Sequence, residues 1–244
     1  MKITVLGMYG GYPYDNQGTS SYLLQEDGFN LLLDCGSGAL LSLEHHLDPM
    51  KLDAVLLSHY HYDHIADVGV LQYYWQLNND EGKKILPIYG HQEDQEHFTA
   101  LTWPHATKGY GYEPQKPLEI GPFQIQFLRT KHPVTAFAMR ITTRERKTFV
   151  FTADTAYFSE LVPFAHAADL LLTDTNFDAT KTGTKWHMTS LESGNLAKAA
   201  GVKQLVLSHL PQKIEFSKLQ QEAQQAAGRQ VIVEVAGVDK SFRV

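Results

Sequence analysis

The chain has 244 residues, 43% hydrophobic and 20% charged, which suffices for one large domain or two small ones and for a core that needs no disulfides. A net charge of −6 with no block of Lys or Arg argues against a nucleic-acid-binding face, and no apolar run approaches the ~20 residues a membrane span requires. The single Cys35 cannot form an internal bridge, which fits a reducing cytoplasm, and the apolar run at the N-terminus is too short for a signal peptide. With no low-complexity segment and no composition break, residues 1–244 read as a single domain.

In chain order, Lys2 to Leu6 reads as a strand, followed by an irregular loop over Met8 to Gly18 that is rich in Gly, Tyr and Pro. Ser20 to Gln25 and Phe29 to Leu33 flank Glu26-Asp27-Gly28, a hairpin signal. Ala39 to Leu47 reads as a helix and Ala54 to Leu57 as a buried strand. Ile65 to Leu77 is the next helical stretch, Leu86 to Tyr89 a short strand, and His91 to Leu101 a helix. Trp103 to Pro117, with three Pro and two Gly, reads as loop, either a lid beside a site or plain surface. Leu118 to Ile120 and Phe123 to Leu128 form a hairpin turning at Gly121-Pro122. Ala136 to Thr142 and Thr148 to Phe151 are strands, Ser159 to Ala167 a short helix, and Asp169 to Leu172 a strand. Thr189 to Ala200 reads as a helix with Thr189 or Ser190 as N-cap and Glu192 in its first turn. Gln204 to Leu207 is a strand, Phe216 to Ala227 a polar helix and Gln230 to Val235 a final strand. The aromatic run Tyr73, Tyr74 and Trp75 reads as helix packing.

The densest chemistry lies in His59-Tyr60-His61-Tyr62-Asp63-His64, four metal-binding side chains in six residues, directly after the apolar strand. In extended chain the imidazoles of His59 and His61 point the same way, and Asp63 and His64 open the following helix. Imidazole with carboxylate suits zinc, and also manganese or iron. Six strands end in a residue able to bind metal or handle protons: Asp34, His59, His132, Asp154, Asp174 and His209. In α/β folds such strand ends form the crevice where chemistry takes place. Val55-Leu56-Leu57-Ser58-His59 is echoed by Leu205-Val206-Leu207-Ser208-His209, which hints at two similar halves. His45, His46, His91, His97, His105 and His166 fall outside these patterns and read as surface or packing residues.

Together, His59-x-His61-x-Asp63-His64, His132, Asp154 and His209, in this order and spacing, resemble the metallo-β-lactamase superfamily, and most closely its ribonuclease Z-like phosphodiesterases. Trp186-His187-Met188-Thr189-Ser190 resembles that group's His-Ser-Thr segment. Thr173-Asp174-Thr175-Asn176 corresponds loosely to its His-Glu-Ala-Thr strand end, which carries a longer glutamate. The resemblance implies an α/β fold, a four-layer αββα sandwich, with two divalent metals, zinc foremost. His59, His61 and His132 would hold the first metal, Asp63, His64 and His209 the second, and Asp154 would bridge them. Asp34 would support a ligand histidine. A hydroxide shared by the metals would attack phosphorus. His187 would donate a proton to the leaving alkoxide or hold the phosphate, Asp174 would orient His187, and Asp63 would relay a proton besides ligating.

Members that process tRNA carry a long basic arm between the third and fourth motifs. Only 21 residues separate His132 from Asp154 here, so a small or cyclic phosphodiester is the expected substrate, with nucleic acid not favoured. Lactonase, thioesterase or tRNA 3′ endonuclease activity on the same metals is the first alternative, and a non-hydrolytic metal-binding or regulatory protein the second. The resemblance also implies a homodimer.

Overall fold

Apolar strand runs with chemistry at their C-terminal ends recur throughout a computed structural model of the chain, which describes residues 1–80 and 83–244. The elements in order are β1 (Lys2–Tyr9), β2 (Gly18–Thr19), β3 (Ser21–Glu26), β4 (Phe29–Leu33), α1 (Ala39–Glu44), β5 (Ala54–Leu56), α2 (Tyr62–Ile65), α3 (Val68–Asn78), β6 (Leu86–Gly90), α4 (Gln95–Ala100) and β7 (Thr107–Gly111). They continue with β8 (Leu118–Ile120), β9 (Phe123–Arg129), β10 (Phe137–Thr143), β11 (Thr148–Phe151), α5 (Leu161–Phe164), β12 (Leu170–Asp174), α6 (Ser190–Ala200), β13 (Gln204–Ser208), α7 (Phe216–Ala227), β14 (Ile232–Val235) and β15 (Ser241–Arg243). The chain divides into two compact units, the first Met1–Glu113 with Ile120–Pro122 and Gly237–Arg243, the second Pro114–Glu119 with Phe123–Ala236 and Val244.

The first unit is built on a mixed sheet of order β15-β1-β3-β4-β5-β6-β7, with β2 beside β1. β4, β5, β6 and β7 run parallel, so their C-terminal ends lie along one edge. One sheet face buries Leu23, Leu32 and Val55 against Ala39 and Leu43 of α1 and Leu71 and Trp75 of α3. Full burial of each large aliphatic side chain of this kind contributes about 1.5–3 kcal/mol. The β3–β4 hairpin turns through Asp27 (φ 50°) and Gly28 (φ 80°), two successive left-handed residues, as the tight turn demands.

The second unit carries a mixed sheet of order β14-β13-β12-β11-β10-β9-β8. β11 to β14 are parallel, while β10 is antiparallel to both β9 and β11, so β9 points the same way as β11. The ends of β9, β11, β12 and β13 therefore share one edge. β12 and β13, the near-continuous runs Leu170–Leu172 and Leu205–Leu207, are fully buried, as parallel strands covered on both faces must be. α6 and α7 cross closely because residue 194 is glycine: a methyl there would run into the carbonyl of Ala223. The internal echo has a structural counterpart, since β5 and β13 each sit between two parallel neighbours in their own sheet.

Four local expectations change. The predicted 103–117 loop contains β7, an edge strand parallel to β6; its two glycines and lack of aliphatic residues conceal a strand that the ladder itself creates. The predicted helix over 65–77 is two helices, because the Asp67 N–H donates to the Cys35 carbonyl (3.1 Å) and its carboxylate accepts from Leu40 N (3.0 Å). The 91–101 helix begins only at Gln95, where Asp94 caps it. β15 pairs antiparallel with β1, a strand that no pattern in the sequence announced. Within 73–75 only Trp75 is core, and Tyr73 is 56% exposed. Among the described residues no helix is long and apolar enough to cross a membrane.

Candidate metal centre

In the first unit the site is laid out by the ends of β4 and β5. The chain leaves β4 at Asp34 with φ 54°, a conformation unfavourable for a non-glycine residue, and this turn tucks the carboxylate into the interior, fully buried. Asp34 Oδ1 accepts from Ser58 N (2.7 Å), while Oδ2 accepts from Ser58 Oγ (2.8 Å) and from His64 Nδ1 (2.7 Å). With its proton directed at Asp34, Ser58 Oγ is an acceptor for His59 Nδ1 at 3.0 Å. One carboxylate thus orients two histidines, His64 directly and His59 through Ser58. Both carry their proton on Nδ1, which leaves Nε2 with the lone pair a metal needs.

The four motif residues gather as expected. The His59 ring lies 4.9 Å from that of His61 and 4.1 Å from that of His64, and Asp63 Oδ2 is 3.7 Å from His64 Nε2. Asp63 Oδ2 also accepts from Gly11 N (2.6 Å), so the loop between β1 and β2, narrower than the expected Met8 to Gly18, reaches the motif. Two buried tyrosines brace the segment: Tyr60 donates to the His91 carbonyl (2.6 Å) and Tyr112 to that of Leu57 (3.1 Å). Gly90 makes the first brace feasible, because a methyl there would occupy the place of the Tyr60 hydroxyl. Burial pushes the Tyr60 and Tyr112 hydroxyls well above the usual phenol range, so both remain donors.

The second unit repeats the arrangement at the ends of β9, β11, β12 and β13. Ala153 (φ 49°) and His209 (φ 52°) take the same left-handed turn off their strands. Asp154, buried, lies 3.7 Å by Oδ2 from His132 Nε2 and 3.3 Å by Oδ1 from His209 Nε2. His132 Nδ1 faces the Trp186 carbonyl (3.3 Å) and His209 Nδ1 faces Asp174 Oδ1 (3.2 Å). Asp174 Oδ2 accepts from Thr155 N (2.9 Å) and His187 Nδ1 (2.8 Å). The rings of His187 and His209 stack at 5.0 Å with 19° between planes. Burial works against a charge on His187, but the adjacent Asp174 outweighs it, and the imidazole holds its proton to higher pH than an exposed histidine would. Asp154, Asp174, His187 and His209 offer ligand atoms within 4.8 Å of one another.

Each unit therefore collects its share of the predicted residues: His59, His61, Asp63 and His64 with Asp34 in the first, His132, Asp154, Asp174, His187 and His209 in the second. Nitrogen and carboxylate donors, with the Nδ1 atoms of His59, His64 and His132 turned to acceptors, fit a divalent cation such as zinc, manganese or iron. Sequence reasoning missed Ser58, Thr155, Tyr60 and Tyr112. Of these only Ser58 left a signal, in the Ser-His ending that β5 shares with β13. Of the remaining histidines, His91 accepts from Tyr60 through its carbonyl as above, His46 Nε2 pairs with Asp239 (2.7 Å) and His97 Nδ1 with Asp94 (2.8 Å).

Comparison with known proteins agrees with this layout. The model of the "Beta-lactamase superfamily domain" matches residues 29–210. The Bacillus subtilis (strain 168) protein named "Probable metallo-hydrolase YhfI" is 48% identical over 240 residues, covering 97% of this chain and 98% of the relative. The crystal structure of YhfI, described as a metallo-β-lactamase fold protein, superposes with a TM-score of 0.94 at 46% identity, over 99% of this chain and 98% of that one. Human tRNase Z, short form, superposes with a TM-score of 0.77 at 18% identity, over 100% and 99% of the two chains. A diphosphatase from the PhnP family gives 0.76 at 14%, over 100% and 97%. These findings support a hydrolase and a divalent-metal site, and the two sheets with their flanking helices are those of the metallo-β-lactamase fold. The chain belongs to the β-lactamase superfamily.

Proposed function

We propose that this protein is a dinuclear-metal hydrolase that cleaves a small or cyclic phosphodiester. The observation that carries this reading is His187, held at 2.8 Å by Asp174 beside Asp154 and His209: an oriented, proton-retaining imidazole next to a ligand cluster. Such a group serves substrates that expel an alkoxide, a leaving group that needs a proton, more than thioesters, whose thiolate leaves without one. The likeness to proteins named a tRNase and a diphosphatase supports phosphate chemistry.

In this reading His59, His61 and His132 would hold one ion and Asp63, His64 and His209 the other, with Asp154 a ligand that both could share. Each half-set is already oriented within its own unit, and the family match runs through both units, which supports one hydrolase domain. Two divalent ions, zinc foremost, would activate the nucleophile and neutralise charge that builds on the phosphate oxygens. His187 Nε2 delivers the proton to the departing oxygen while Asp174 keeps Nδ1 protonated and the ring in place. Asp63, anchored by Gly11 N, passes a proton besides ligating. β10 and β11 fill the interval between His132 and Asp154, leaving no arm for a tRNA, which with the net charge of −6 supports a small substrate. The lone buried Cys35 supports a cytoplasmic setting.

Metal analysis of freshly purified protein, paired with turnover of bis(p-nitrophenyl) phosphate against lactones and thioesters, tests the proposal. Bound metal with diester turnover is the expected result. No turnover on any ester with metal fully loaded would make the chain a metal-binding protein without hydrolase activity. His187→Ala is expected to keep both metals and lose about 10²–10⁴ in kcat; loss of metal with activity would recast His187 as a ligand.

A further inference from the structure

We propose that Asp174 is a positioning residue shared by a metal ligand and the proton donor, fixing His209 and His187 through one buried carboxylate. This inference rests on the dinuclear reading above and adds a role toward the metal that orientation of His187 does not include. Asp174 is 1% exposed, and both of its oxygens face a histidine Nδ1: Oδ1 that of His209 at 3.2 Å, Oδ2 that of His187 at 2.8 Å. Its own placement is fixed from the backbone. Asp174 N donates to Thr152 Oγ1 (2.9 Å), and Oδ2 accepts from Thr155 N (2.9 Å), so the end of β12 is tied to the end of β11.

The two imidazoles stack, their centroids 5.0 Å apart with 19° between planes, and each has its Nδ1 within 3.2 Å of an Asp174 oxygen. With Nδ1 at ion-pair distance from Asp174, His209 turns Nε2 toward Asp154, 3.3 Å away, the orientation a ligand requires. The other unit offers an independent parallel. There Asp34, also buried at a strand end, orients His64 directly and His59 through Ser58. A short side chain suits this double task, since an aspartate at the last residue of a strand cannot reach past its neighbours and instead presents both oxygens locally.

The test is metal affinity, read with zinc alone by competition against a chromogenic chelator, in the full chain. His187→Ala should bind zinc as the wild type does. Asp174→Ala should weaken one of the two equivalents about 10–100-fold. Asp174→Asn, nearly isosteric, should show the same loss: its amide can accept from one histidine only and turns an N–H toward the other. It also covers the case in which the alanine variant does not fold. Wild-type affinity in Asp174→Asn would overturn the shared role and confine Asp174 to His187, leaving the hydrolase reading intact. An equal loss in His187→Ala would overturn it too, by showing that the effect runs through His187. A wild-type chain that binds no zinc, manganese or iron would instead sink the metal reading beneath both.

Discussion

Asp34, Ala153 and His209 share a feature that is local and costly: each follows or closes a strand end with φ near +50° and none is glycine. Such a conformation costs on the order of 1–2 kcal/mol per residue and persists where the surroundings hold it. Here it turns a carboxylate or an imidazole off the strand and into the strand-end edge, so the strain lies in the site itself. Asp34 ligates nothing in the proposed cage, yet three hydrogen bonds of 2.7–2.8 Å converge on it. Asp34→Ala is therefore expected to lower zinc affinity about 10–100-fold while the ligands stay in place, measured by the same chelator competition. The residues proposed as ligands, and Asp34, could be singled out in the sequence, because metal binding restricts residue type so sharply. Ser58, Thr155, Tyr60 and Tyr112 were not, because a hydroxyl or an amide that orients a ligand can come from many residue types. Only coordinates show which one arrives.

Elements that carry their own local signal matched expectation closely. α6 is the clearest case: of the two expected N-cap candidates it is Thr189 that accepts from Glu192 N (3.2 Å), and Glu192 Oε2 accepts in return from Thr189 N (2.9 Å). This cap also fixes the chain two residues after His187, tying helix stability to the donor's placement. Thr189→Ala is expected to cost about 1 kcal/mol, a fall in Tm of ~2–4 °C read by thermal denaturation. Elements formed by partnership escaped the sequence. β7 exists because β6 offers it a ladder, and β15 because β1 does; neither has the aliphatic alternation that marks a strand by itself. The break between α2 and α3 belongs to the same class, since its cause is the Cys35 carbonyl 32 positions away in the chain from Asp67.

At the scale of the molecule, sequence motifs sufficed for the family and the metallo-β-lactamase fold, because the ligand order is distributed along most of the chain and the match covers residues 29–210. The boundary between the two units was not legible, since no composition break or linker marks the change; only the Ser58-His59 and Ser208-His209 echo hinted at two halves. The first unit is assembled from separated stretches, with Gly237–Arg243 returning to it after nearly all of the second. β15 lies along β1, the Val5 N–H donates to the Lys240 carbonyl (2.9 Å), and Asp239 N donates to Val5 (2.9 Å). Lys2–Thr4 of β1 therefore wait for a neighbour on the β15 flank until nearly all of the second unit has been made. Removing residues 237–244 would spare every proposed ligand and still leave Lys2–Thr4 of β1 without their β15 partner. The shortened chain should melt at lower temperature and aggregate on concentration, as light scattering would show, because an uncovered strand rim is a template on which a second copy can dock its own.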